Sequence, residues 1–252
     1  MDIVLEVRDL SFRFDGREIL QRLSFRLRRG EIYVVLGASG SGKSILLRLC
    51  GGLLSPEKGS VEIDGLDLAT ASKEALQALR VKMGFVFQEA ALISNMSIYD
   101  NVALPLRYHT RLKEPQVQAR VSEKMALFEV DRKDDQSIPA QLSLGLRKRV
   151  ALARAIILEP EYLFLDEPSS GLGPEADRLI GKILKDYRKK VGASLLVVSS
   201  SPPFAFTIAD RIGLLAGGRI AAEGTAQEMQ GHLEKMKKWS SSVDAVGEGA
   251  PC

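Results

Sequence analysis

One eight-residue stretch limits this chain more than any other: Gly37-Ala38-Ser39-Gly40-Ser41-Gly42-Lys43-Ser44 fits G-x-x-x-x-G-K-[ST] in full. It follows the apolar run Ile32-Tyr33-Val34-Val35-Leu36, a buried-strand pattern, so the expected local structure is strand, glycine loop, helix. Glycines in such a loop let backbone N–H groups turn inward as an anion nest, and a helix beginning near Gly42 aims its positive end at the same place. Lys43 adds a compact cation for the β- and γ-phosphates of a nucleotide, and Ser44 a hydroxyl for Mg²⁺. The expected cradle is therefore Gly37, Ser39, Gly40, Ser41, Gly42, Lys43, Ser44 and Ile45.

A second apolar strand, Tyr162-Leu163-Phe164-Leu165, ends in two carboxylates, Asp166 and Glu167, the arrangement a nucleotide site needs at a sheet edge. Asp166 is expected in the Mg²⁺ shell and Glu167 facing the attacking water. Strand alternation would send the two side chains opposite ways, leaving Glu167 free to polarise water while Asp166 stays on the cation.

The remaining chain reads as α/β. Residues 3–28 alternate apolar and polar and turn at Asp15-Gly16; Ser60–Gly65 reads as another short strand and turn. These would form an antiparallel sheet over the nucleotide base. Residues 73–80 and about 98–130 look helical, with Pro105 and Pro115 expected to break the second run. Residues 174–190 follow a helical period, Ser194–Ser199 reads as a buried strand, and Pro202-Pro203 after three serines suggests a serine-capped helix start. Alternating strands and crossover helices imply a mostly parallel sheet flanked by helices.

Between the two nucleotide motifs, Leu142-Ser143-Leu144-Gly145-Leu146-Arg147-Lys148-Arg149-Val150-Ala151-Leu152-Ala153-Arg154-Ala155 resembles the signature segment of the ATP-binding-cassette (ABC) family, usually L-S-G-G-Q before a basic, alanine-rich helix. Motif order over about residues 3–230 matches that family. The resemblance implies a P-loop NTPase-type ABC nucleotide-binding domain spanning 1–232, with a helical insert over about 90–142 and a polar tail from 233 to 252. It places Phe14 on adenine, Gln88 at the Q-loop as a Mg²⁺ and water ligand, and Pro168–Leu172 at the D-loop. It also implies a second cassette, whose ATP would be closed over by Ser143 and Gly145.

Three departures from the family pattern stand out. Leu144 replaces a signature glycine and Leu146 the glutamine; Gly173 stands where the D-loop usually has aspartate; Ser200 occupies the switch-histidine position. The chain's histidines are His109 and His232, neither at that strand end. Ser200 can still donate a hydrogen bond, with shorter reach. ATP binding with slow hydrolysis is expected, and an ATP-holding regulatory cassette paired with an intact one is the alternative.

The stretch Gln88–Thr110 is similar to the same region of ATPases in Mla-type phospholipid transporters, which work with MCE proteins in the bacterial envelope. That resemblance implies a multi-span permease docked at about 89–110, an MCE-type lipid-binding protein reached indirectly, and a place on the cytoplasmic face of the inner membrane. Local physics leaves Leu92, Ile93, Met96, Ile98 and Tyr99 open between a partner surface and insert packing.

Composition agrees. With 252 residues, 45% hydrophobic and 27% charged, the chain can build one large domain. A net charge of +3 and no basic stripe with interleaved aromatics argue against nucleic acid. Arg147-Lys148-Arg149 and Arg188-Lys189-Lys190 read as solvated helix faces. No apolar run approaches the ~20 residues of a membrane helix, and the first residues lack the pattern of a secretory leader. Cys50 reads as a reduced core thiol and Cys252 as part of the tail, for which disorder is the default expectation and partner docking through Trp239 the alternative.

Overall fold

A computed structural model describes residues 2–232; the expected tail, with Trp239 and Cys252, lies outside the described residues. Two long antiparallel strands, β1 (Ile3–Phe14) and β2 (Arg17–Arg28), turn at Asp15-Gly16, both at positive φ as a primed hairpin turn requires. Next come β3 (Ile32–Leu36), α1 (Lys43–Cys50), β4 (Lys58–Ile63), the short β5 (Leu66–Asp67), α2 (Lys73–Val81) and β6 (Met83–Val86). The helical insert holds α3 (Ile98–His109) and α4 (Glu114–Leu127), and α5 (Leu144–Ala155) leads back to the sheet. The chain then alternates β7 (Tyr162–Asp166), α6 (Pro174–Val191), β8 (Ser194–Ser199), α7 (Pro202–Ile208), β9 (Arg211–Ala216), β10 (Arg219–Thr225) and α8 (Ala226–Met229).

The strands form two sheets, ordered β2-β1-β4-β5 and β10-β9-β3-β8-β7-β6. In the second, β9, β3, β8, β7 and β6 are parallel and β10 is an antiparallel edge. Alternate residues of its central strands enter different cores. Val34, Leu163, Leu165, Leu195 and Val197 pack towards α3 to α7. Val35, Tyr162, Phe164, Leu196 and Val198 pack with α1 against the antiparallel sheet. A parallel sheet covered on both faces requires this unbroken apolar composition. The two sheets also join directly, where Gln21 N–H donates to Gly218 O (2.9 Å). The β9–β10 hairpin turns on Gly217-Gly218, both at positive φ.

Two expectations are corrected here. Pro115 opens α4, but Pro105 lies inside α3 without ending it. The helix survives one missing N–H because Val102, Ala103 and Leu106 are buried in the core. The basic triplets are solvated faces only at Lys189 and Lys190, which are exposed. Lys148 is only 2% exposed, Arg149 Nη1 donates to the carbonyls of Phe128 (3.3 Å) and Glu129 (3.0 Å), and Arg188 Nη1 donates to Gly30 O (3.2 Å) and Asp210 Oδ2 (2.8 Å). Long side chains reach backbone acceptors that a helical period cannot reveal. Cys50 is buried as expected, and burial raises its thiol pKa.

Candidate nucleotide site

All three central parallel strands end at the same edge. β3 runs into the glycine loop, β7 into Glu167 and β8 into Ser200, while β6 is followed by Gln88. Ser39, Gly40, Gly42, Lys43, Ser44 and Ile45, with Gln88, Glu167, Ser170, Ser200 and Ile19, line one cavity of about 300 Å³. Ile19 of β2 and Ser170 were not foreseen: alternation marks Ile19 as a strand residue, and nothing in its own sequence marks it as a wall.

Gly42 caps α1 at a φ of 97°, and a Cβ there would come within 2.7 Å of Ile19 Cγ2, so the turn and the close approach both demand glycine. Lys43 is buried. Its Nζ donates to Gly37 O (2.9 Å) and Ala38 O (2.8 Å) and stands 3.5 Å from Glu167 Oε1. Gly37 and Ser41 shape the loop from beneath and do not line the cavity. The Ser41 hydroxyl is buried without a partner there.

Ser44 Oγ donates to Asp166 Oδ1 (3.0 Å). Two oxygens held together at a helix start and a strand end suit a hard divalent cation, and Gln88 lines the same cavity. Burial raises the Asp166 carboxyl pKa above its ordinary value, opposed by the Ser44 hydrogen bond. A bound cation would reverse that direction.

Glu167 reaches the cavity by a different route from the one strand alternation suggests. β7 ends at Asp166, and Glu167 takes a left-handed backbone with φ 47°. Its N–H donates to Val198 O (3.0 Å) and its carbonyl accepts from Lys148 Nζ (2.9 Å). The carboxylate is buried, and Oε2 has no hydrogen-bond partner. A buried unpartnered carboxylate oxygen is costly, and a phosphate-bound water in this cavity would satisfy it. Site and substrate chemistry fit.

The other expected residues stand apart from that cavity. Phe14 closes β1 and is 63% exposed, its ring free to receive a flat base. Ser143 caps α5, its Oγ accepting from Leu146 N–H (3.3 Å). Leu144 is 38% exposed and lies over the 171–172 loop, its Cδ2 placed 3.7 Å from where Gly171 would carry a Cβ. Gly145 sits against Leu172, which a Cβ would meet at 3.4 Å. Gly173 caps α6 at φ 84° and ψ 171°, with no side chain to accept the first helical N–H groups. That φ lies in the region glycine favours.

The segment after Gln88 is pinned from inside. Asn101, fully buried, accepts from Ile93 N–H (2.7 Å) and donates to Ile93 O, Met96 O and Ser97 O, and Arg154 Nη2 donates to Ala90 O (3.1 Å). Ile98 is in the core, with Leu92 and Tyr99 packed against it, whereas Ile93 is exposed. The apolar run thus divides between packing and surface. At the far end of α3, Tyr108 (81% exposed) and His109 face Glu74, Gln77, Arg80 and Val81 of α2 across a groove of about 590 Å³.

Comparison with known proteins agrees with this architecture. The sequence profile of the ABC transporter family matches residues 20–170. The chain is 38% identical over 215 residues to the probable ribonucleotide transport ATP-binding protein mkl of Mycobacterium tuberculosis, covering 85% of this chain and 60% of that protein. It therefore spans about three fifths of that relative's length. Against the intermembrane phospholipid transport system ATP-binding protein MlaF of Escherichia coli, identity is 37% over 246 residues, covering 98% of this chain and 90% of MlaF. Among solved structures, the dimeric post-hydrolysis state of the ATP-binding cassette MJ0796 with ADP and Pi superposes with a TM-score of 0.82 at 28% identity, covering 88% of this chain and 98% of that one. With the family profile reaching from β2 past the carboxylates of β7, this chain belongs to the ABC transporter family.

Proposed function

We propose that the chain is the ATP-binding subunit of a membrane transporter, hydrolysing ATP slowly to move phospholipid in a bacterial envelope. The observation that carries the ATPase part is the convergence of Lys43, Ser44, Asp166 and Glu167 at one strand edge. Backbone N–H groups of residues 39–44 and the α1 N-terminus would hold the β-phosphate. Lys43 would exchange its two carbonyl partners for phosphate oxygens. Ser44, Asp166 and Gln88 would hold Mg²⁺, which supplies charge neutralisation on the phosphates. Glu167, through Oε2, accepts the proton of the attacking water, and Ser200 offers a hydroxyl where the γ-phosphate would lie.

Phospholipid as the cargo is supported by the 37% identity to MlaF across nearly the whole chain and by the resemblance over Gln88–Thr110. The groove at Tyr108 and His109 and the exposed Ile93 offer a surface for a multi-span permease, with an MCE-type protein beyond it. Among the described residues no helix is long and apolar enough to cross a membrane, so attachment through such a permease on the cytoplasmic face is the reading consistent with the chain. A second cassette, a copy or another chain, completes each site.

Leu144, Gly173 and Ser200 favour a second reading, an ATP-holding cassette with negligible turnover of its own. Steady-state hydrolysis by the purified chain, alone and with a co-purified permease, separates the two, with Glu167→Gln as control. Turnover removed by the substitution supports the first reading. ATP binding without such turnover supports the second, and absence of binding overturns both.

A further inference from the structure

Lys148 is the middle residue of the basic triplet Arg147-Lys148-Arg149, read from sequence as a solvated helix face, yet the structure buries it beside Glu167. Its Nζ has three donors and three acceptors: Glu167 O (2.9 Å), Ser170 O (2.8 Å) and Ser170 Oγ (2.8 Å). No carboxylate oxygen among the described residues comes within ion-pair distance of it. Burial lowers its pKa, with Glu167, Glu89 and Asp166 acting in the opposite direction. A buried ammonium spent on backbone carbonyls is an expensive way to hold a helix in place, since a leucine would pack without the desolvation penalty.

What the ammonium holds is the peptide of Glu167. On one side Glu167 N–H is fixed to Val198 O; on the other its carbonyl receives both Lys148 Nζ and Ser170 N–H (3.3 Å). The left-handed φ of 47° is thus clamped at both ends, leaving the side-chain torsions as the freedom that remains. Ser170, held by the same ammonium, lines the cavity with the carboxylate. Lys148 also lies five residues after Ser143 in α5, so the helix that Ser143 caps is tied to the Glu167 backbone of its own chain.

We propose that Lys148 is a positioning residue for ATP hydrolysis, holding the 167–170 backbone so that the Glu167 carboxylate projects into the cavity. The proposal rests on the reading of Glu167 as the acceptor of the water proton. Lys148 itself touches no substrate.

The test uses the full chain and compares Lys148→Met, Lys148→Arg and the unsubstituted protein for kcat and KM with Mg-ATP, together with amide hydrogen exchange over 167–172. Methionine keeps the apolar stem and removes the donors. It should lower kcat about ten- to a hundredfold, as small misplacement of a catalytic group does, with KM within about threefold. Arginine, which keeps charge and donors, should retain most of the turnover, and exchange over 167–172 should quicken in the methionine variant alone. Unchanged kcat in Lys148→Met, an equal loss through KM, or an arginine variant as impaired as methionine would each overturn the proposal. Should Glu167→Gln leave wild-type turnover intact, the reading of Glu167 has failed, and the exchange arm still decides Lys148: protection of 167–172 unaltered by methionine rejects it.

Discussion

The phosphate cradle and the start of α5 are both glycine- and serine-containing loops feeding a helix N-terminus, but they are built to different standards. At the cradle, Lys43, Asp166 and Glu167 are all buried, and each is fixed by strands whose side chains fill both cores. At α5, Ser143 and Leu144 are exposed, and the loop they face, 171–173, is itself exposed at Gly171 and Gly173. The contrast shows where sequence can drift without harming the fold. Replacing a glycine by leucine on an open helix end displaces nothing, whereas any Cβ on Gly42 collides with Ile19. On the proposed reading, in which a second cassette completes each site, one half of the site is thus protected by the stability of the chain that carries it and the other half only by the partner it meets.

The sharpest way to break that contrast is at the cradle. Lys43→Ala should weaken ATP binding by at least about a hundredfold, since it removes a buried cation from a polyanion, and equilibrium titration with a fluorescent nucleotide measures it. Unchanged affinity would sink the site. Glu167→Gln should leave affinity within about threefold while cutting turnover by roughly a hundredfold or more, the worth of a positioned general base. At the open end the sign reverses: Leu144→Gly combined with Leu146→Gln should raise turnover about tenfold by restoring backbone approach. No gain in steady-state hydrolysis would locate the slow step elsewhere, with Ser200 the next residue to change. The smallest effect concerns α1. Burial disfavours the Cys50 thiolate, so alkylation of the folded protein at pH 8 should leave Cys50 unmodified while unfolded protein reacts, as peptide mapping would record. Ready modification would mean that the helix behind the cradle opens.

Much of this was legible because the relevant chemistry is contiguous. Residues 37–44 carry loop, cation and hydroxyl in one run, and 162–167 carry strand and carboxylates in another. The lines from which the fold was read are equally local: the Asp15-Gly16 turn, the period of α6, the serine cap of α7. What escaped depends on contacts between distant segments. Lys148 is buried by carbonyls 19 and 22 positions away, Asn101 by the backbone of a loop that folds over it, and Pro105 is tolerated through core packing that no propensity registers. The turn of Glu167 escaped for another reason: strand alternation holds only while the strand lasts, and β7 stops one residue short of it.

Lys43 bonded to the carbonyls of Gly37 and Ala38 means that the ammonium of the cradle is already satisfied. An incoming anion competes with an internal ligand before it gains anything. A lone phosphate, meeting only part of the N–H array, has little with which to outbid two carbonyls and the nearby Glu167 carboxylate; a triphosphate engages the lysine, the helix end and the cation together. On the proposed function, the loop would thereby favour a nucleoside triphosphate over a lone phosphate.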